Sequence, residues 1–285
     1  MAAPVTFACE GIALRLAALK QDMAPGMKWW AGVLRVDFAR PPPAKKYNGT
    51  YWPVYYRAPS GAEAQLVLRF AGEKTYGTLG GGDAGYRPRF AFHHATAADV
   101  DSIPHSWLAQ ALSLVDEAVM AEVRMRQEVG EDLLRLFVDL RRKGELSPWA
   151  ARAEWNAQHA PSAAAQSAAP GFAITVDAEQ RLSEAGWSAD DIKILLRGSL
   201  PAQNARITHP VQPLKSGGMA ARVGVDFEGA RRTVVMGAAP CSTVAEAQAL
   251  FPHGTEVSGM VDCSSVCFHA YGISLQVRMR QIERV

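Results

Sequence analysis

The sequence predicts an α+β protein, strand-rich at both ends with a helical middle segment. Three observations predict it. Residues 32–94 alternate apolar and polar positions between turn formers. Residues 108–140 repeat apolar side chains at helical spacing, and residues 205–281 return to alternation. With 285 residues, 48% hydrophobic and 20% charged, the chain can bury a real core as one large domain or two ordinary ones.

Each element follows from its own residues. The start, MAAPVTFACEGIALRLAALKQD, lacks a basic region before a continuous apolar run, so it reads as a short amphipathic helix rather than a signal peptide. Residues 32–38 alternate with Val33, Val36 and Phe38 apolar. Pro41, Pro42 and Pro43 end that strand, because proline cannot continue a ladder. Asn48-Gly49 is a hairpin-type turn, followed by the aromatic strand TYWPVYYR and a strand over 64–70. Gly80–Gly82 with Asp83 reads as a flexible loop, and 87–92 can return as a strand. Leu108, Leu112, Val115, Val119 and Val123 lie on one helical face. Gly130 is expected to interrupt. Leu133, Leu136, Phe137 and Leu140 resume the pattern, and Arg141, Arg142 and Lys143 close it as the helix dipole favours. Ser147-Pro148 starts a third helix, serine as cap and proline in the first position.

Residues 159–171, HAPSAAAQSAAPG, read as an Ala/Ser/Pro linker. It divides an expected N-terminal β module with a helical segment, 1–158, from a C-terminal β domain, 172–285. Two short helices follow, the second capped by Ser188. Strands are expected over 205–211, 219–227, 231–236, 255–262, 266–271 and 272–281, with a helix over 243–251. In the last strand Ile273, Leu275, Val277 and Met279 point one way, and Ser274, Gln276, Arg278 and Arg280 the other. About five strands with one helix between the third and fourth is the element count of a small Greek-key barrel such as an OB-fold. RVDF at 35–38 and GVDF at 224–227 leave open a second, related barrel.

The formal net charge is only +2, but residues 27–90 hold ten Lys/Arg against four Asp/Glu. Within that segment Lys45, Lys46, Tyr47, Tyr51, Trp52, Tyr55, Tyr56 and Arg57 crowd cations and rings into thirteen residues, and Lys74, Tyr76, Arg87 and Arg89 follow. Single strands are held by a basic groove for phosphates and aromatic faces for bases, so these residues are candidate nucleic-acid contacts. The alternative is that the rings are core. Arg278 and Arg280 on the last strand, with Arg231 and Arg232, form a second basic candidate, against the alternative of a solvated outer face.

Cys241, His253, Cys263, Cys267 and His269 could supply metal ligands, but a C-x3-C spacing favours packed free cysteines, and no metal or other cofactor is expected. His93-His94 lacks a carboxylate partner pattern. The glycine run 77–82 lacks the GK[ST] ending of a phosphate loop. No catalytic motif is recognisable, so no enzyme is expected. Four cysteines suit a reducing, intracellular compartment, and no run of apolar residues would span a membrane.

The ending CSSVCFHAYGISLQVRMRQIERV resembles the terminal part of single-stranded-DNA-binding proteins of large DNA viruses. Those end in a strand pair of the type Ser-Ser-Val-aromatic, then aromatic-Gly-Ile, then Val-x-Gln-Ile. The match falls on Ser264, Ser265, Val266, Phe268, Tyr271, Gly272, Ile273, Gln281 and Ile282. Cys267 stands where a large aromatic is more usual, and the resemblance covers about a third of the chain. It implies an OB-like barrel that coats displaced strands during viral DNA replication, in the nucleus or cytoplasm of a host cell.

The expected function is therefore sequence-tolerant binding of single-stranded DNA in replication or recombination, with RNA and self-association as further partners to test. The competing expectation is a viral or phage structural or assembly protein.

Overall fold

A computed structural model describes residues 5–24, 27–38, 49–79, 89–94, 106–144, 147–159, 174–175, 177–197, 206–213, 218–227, 229, 232–238, 241–269 and 272–285. Among them are twelve strands and six helices. In chain order these are β1 (Phe7–Ala8), α1 (Cys9–Asp22), β2 (Leu34–Val36), β3 (Gly49–Arg57), β4 (Glu63–Gln65), β5 (Val67–Leu79) and β6 (Arg89–His94). Three further helices follow the first strands: α2 (Trp107–Arg142), α3 (Pro148–His159) and α4 (Ala178–Glu184). The chain closes with α5 (Ala189–Leu195), β7 (Ile207–Thr208), β8 (Val211–Pro213), β9 (Met219–Gly224), β10 (Val234–Val235), α6 (Val244–Leu250), β11 (Glu256–His269) and β12 (Gly272–Arg284). The protein is α+β. No described helix is long and apolar enough to cross a membrane.

The long strand β11 organises the sheet. It pairs antiparallel with β12 from Val257↔Arg284 to His269↔Gly272. On its other side its first half pairs with β5, from Glu256↔Lys74 to Asp262↔Val67. Its second half pairs with β3, from Ser265↔Pro53 to His269↔Gly49. The exchange of partner falls where the register with β12 shifts between Asp262 and Ser265. An extra residue in one strand bends it and increases its twist, which re-aims it toward a new neighbour. Gly259 makes the crossing possible, since a Cβ there would meet the Gln281 carbonyl oxygen of β12.

The remaining pairings return to the start. β5 pairs with β6 at Thr75↔Phe92 and Leu79↔Arg89. β6 pairs with β9 over six residues, Arg89↔Gly224 to His94↔Met219. β9 then meets β12, parallel, at one residue pair, Gly224↔Arg278. The neighbours β5, β6, β9, β12 and β11 therefore form a closed circuit.

This pairing corrects the expectation of two strand-rich modules. β5 and β6 from the first half of the chain are hydrogen-bonded to β11 and β9 from the second. Alternation shows that a segment is a strand with one buried face, but carries no information about its partner. The expected linker lies almost wholly outside the described residues; only His159 is inside, as the end of α3.

Gly130 does not interrupt the middle helix. α2 is continuous over 36 residues and Gly130 is buried within it. A glycine inside a helix costs about 1 kcal/mol relative to alanine, which the apolar residues on either side outweigh. The N-terminus of α2 is anchored twice. Ser106 Oγ accepts from Ala109 N–H at 3.0 Å, and buried Glu73 accepts from Leu108 N–H at 2.9 Å. The first half of α2 seals the sheet through Leu108, Leu112, Val115, Val119 and Val123. Its far end enters a separate core: Leu133, Leu134 and Phe137 pack with Trp155, Leu182 and Leu195 of the following helices and with Trp187 between α4 and α5. Trp187 Nε1–H donates to Phe137 O at 3.1 Å, and the Arg141 guanidinium lies 4.8 Å from the Trp187 ring.

Candidate nucleic-acid interface

Strand alternation divides the aromatic segment between two environments. Trp52, Val54 and Tyr56 are buried, with Trp52 only 1% exposed. Its ring lies 4.8 Å from Phe268 and 5.8 Å from Phe38. The Tyr56 ring packs edge-on against Phe7 at 4.7 Å, and its hydroxyl accepts from Arg15 Nη1 at 3.1 Å. Trp52 and Tyr56, expected as base-stacking residues, are thus core residues. A large ring removed from water on both faces has no face left for a ligand.

Tyr51, Pro53 and Tyr55 emerge on the other side of β3 and are half-buried. The Arg35 guanidinium sits 4.7 Å from the Tyr55 ring centroid. Exposed Arg57 and Arg35 both bind Glu63, at 3.2 and 2.6 Å, so their charge is partly neutralised. Lys74 is exposed on β5. Lys45, Lys46, Tyr47, Arg87 and Arg231 lie outside the described residues, as do the side chains of Tyr76, His93, His94 and His269.

The pairing register extends this face beyond β3. Residues directly opposite in paired strands project to the same side of the sheet. Pro53, Ser265 and Gln276 form one cross-strand row, and Tyr51, Cys267, Ser274 and Thr208 form the next. Arg278 and Arg280 follow Gln276 at two-residue steps and so share its side. Gly224 and Arg89 continue the Arg278 row onto β9 and β6, and Arg222 lies two residues from Gly224. Two strand spacings, about 10 Å, separate Pro53 from Gln276.

The cations on this face differ in how far they are committed. Arg280 makes two bonds to Asp262, at 2.9 and 2.6 Å. Burial would raise the Asp262 carboxyl, but bonds from Ser264 and the Arg280 guanidinium outweigh it and hold it below its ordinary value. Arg278 approaches Asp226 at 3.9 Å. Arg232 donates to the Cys241 carbonyl at 3.1 Å. The Nε of Arg222 is buried without a hydrogen-bond acceptor among the described residues, as are the Nε atoms of Arg232 and Arg278, a state that costs about 1–3 kcal/mol or more for a charged donor.

Arg222 lines a cavity of about 300 Å³ between β9, β12 and the segment carrying β7 and β8. Arg89, Arg278, Thr208, Ser274 and Gln276 also line it. His209 lines it as well, and its Nδ1 is 2.5 Å from Asp116 Oδ2 on α2. Asp116 is buried, and burial pushes its carboxyl up to about 6 despite the His209 contact. Arg222 and His209 are absent from the sequence expectation. A lone arginine in MAARVG and a histidine before a proline carry no pattern of their own.

The four cysteines are all buried and unbonded to one another. Burial pushes the Cys263 thiol well up, with the Asp262 charge adding to it, and burial does the same at Cys9, where Glu73 adds to it. Among the described residues no three His, Cys, Asp or Glu side chains converge as metal ligands would. Compared with known proteins, the chain matches no family model and no curated sequence.

Proposed function

We propose that the outer face running from β3 across β11 and β12 to β9 binds single-stranded nucleic acid without catalysis. One observation carries this reading: the register brings Tyr51, Pro53 and Tyr55 to the same side as Gln276, Arg278 and Arg222. Bases stack on the half-buried tyrosine rings, and phosphates run along the arginines. Each stacked base contributes about 1–3 kcal/mol, and the stacking is tolerant of sequence because every base has a flat face.

The strand circuit supports an OB-like reading of the fold. Its order is β5, β6, β9, β12, β11, its β9–β12 contact is parallel, and α6 lies between its third and fourth strands in the chain. OB-folds bind oligonucleotides on the face of their second and third strands, here β6 and β9, and the proposed face reaches β9. On this reading the protein coats single strands exposed in replication or recombination, in keeping with the resemblance at the chain's end to viral single-stranded-DNA-binding proteins.

Titration of labelled oligo(dT) and oligo(U) at two salt concentrations tests the proposal. Binding at low salt that weakens steeply at high salt is expected, because phosphate neutralisation releases counterions. Absence of binding to both at low salt would end the reading.

A further inference from the structure

We infer that the cavity between β9, β12 and the β7–β8 segment is a phosphoryl-binding pocket. Only the source of the phosphoryl group rests on the nucleic-acid reading above.

The strands create the space. β12 touches β9 at the single pair Arg278↔Gly224, and it pairs with β7 at Ile273↔Ile207 and Ser274↔Thr208. Between those contacts the two strands diverge, and the wedge is the cavity of about 300 Å³. Gly224 sits in one row with Arg278 on one side and Arg89 on the other. The residue between these two arginines therefore has no side chain. Their Cα atoms are about 10 Å apart across two strand spacings, a span both guanidinium arms can close on a phosphate-sized group.

The chemistry of the lining selects an anion. Three arginines from three strands line the wedge with the hydroxyls of Thr208 and Ser274, and no Asp or Glu is among the described lining residues. The cavity beside α1 differs: Glu10, Glu73 and Glu283 line it next to Arg69. Asp226 reaches Arg278 and Asp116 reaches His209, but neither carboxylate lines the wedge. Arg222 Nε is a buried donor without an acceptor among the described residues. A phosphoryl oxygen supplies that acceptor, and guanidinium forks match phosphoryl oxygens in geometry as well as charge.

The test uses the full chain and inorganic phosphate, read by isothermal titration, with the fold of each variant checked by circular dichroism. The wild type should bind phosphate. Arg222→Gln should weaken it at least tenfold, and Arg222→Lys should weaken it less. Gln276→Glu, which places a carboxylate in the wedge without touching the arginines, should abolish it and covers the case in which the Arg222 variants fail to fold. No phosphate binding by the wild type, or equal binding by folded Arg222→Gln and Gln276→Glu, overturns the proposal.

Oligo(dT) with a 5′-hydroxyl or a 5′-phosphate separates the sources. Displacement of the hydroxyl form by inorganic phosphate identifies an internal phosphodiester as occupant. A gain seen only with the 5′-phosphate, and lost in Arg222→Gln, identifies a strand end. Oligonucleotide binding indifferent to both phosphate and Arg222→Gln excludes nucleic acid as the source of the pocket's phosphoryl group. Phosphate binding without oligonucleotide binding leaves the pocket standing and ends the sheet-face reading.

Discussion

Tyr55 and Tyr56 are neighbours in the chain and live in opposite surroundings. Tyr56 is 3% exposed, packed on Phe7 and bonded through its hydroxyl to Arg15. Tyr55 is half-buried on the outer face with Arg35 over its ring. The same division separates Trp52 from Tyr51. One face of β3 holds the core together and the other is half-buried, the face on which the proposed ligand would stack. Residue type alone does not assign either role; the phase of the pleat does.

Substitution on the two faces should therefore separate stability from binding. The largest effect is expected at Trp52, whose ring fills the space between Phe38 and Phe268. Trp52→Ala should destabilise the fold by about 3–5 kcal/mol, measured by chemical denaturation. A loss below 1 kcal/mol would show that this face is not core. On the outer side, Tyr51→Ala and Tyr55→Ala should each lower oligo(dT) affinity by about 1–3 kcal/mol, with a midpoint of unfolding close to wild type.

A smaller effect concerns Asp116. In the folded chain its carboxyl keeps its proton up to about 6, against an ordinary 3.8. The folded state then binds the proton more tightly than the unfolded chain. This group's contribution to stability is full below 3.8 and is lost as pH rises through about 6. Asp116→Asn should flatten the melting temperature against pH across that window. An unchanged profile would show that Asp116 is not the buried acid described. The smallest effect belongs to the exposed ion pairs of the outer face. Glu63→Gln removes a carboxylate shared by Arg35 and Arg57 and leaves Arg35 its pair with Asp37. It should change stability by no more than about 1 kcal/mol, while a modest gain in oligo(dT) affinity at low salt reports the released charge.

Legibility in the sequence followed how far each residue's role depends on near neighbours. The caps were legible, because Ser147 and Ser188 act on backbone three residues away. So was β12, where apolar and polar residues sort cleanly by face: Ile273, Leu275, Val277 and Met279 are buried, and Ser274, Gln276, Arg278 and Arg280 are not. β3 was not legible in the same way, since it carries rings on both faces and alternation cannot say which side is the interior. Gly130 misled because a weak helix former is tolerated where burial is strong. The Arg89–Gly224–Arg278 row was invisible, because it joins three strands whose partnership no local pattern records. Asp116 was hidden by its place among the apolar residues of α2, and its partner His209 lies 93 residues away in the chain.

Titrating labelled oligo(dT) at low and high salt into the wild type and the Tyr51→Ala/Tyr55→Ala double variant tests the outer face most directly. A salt-sensitive complex with the wild type, weakened at least tenfold in a double variant that is still folded, is the predicted result. Equal affinity of the two proteins, or no complex at low salt, would contradict it.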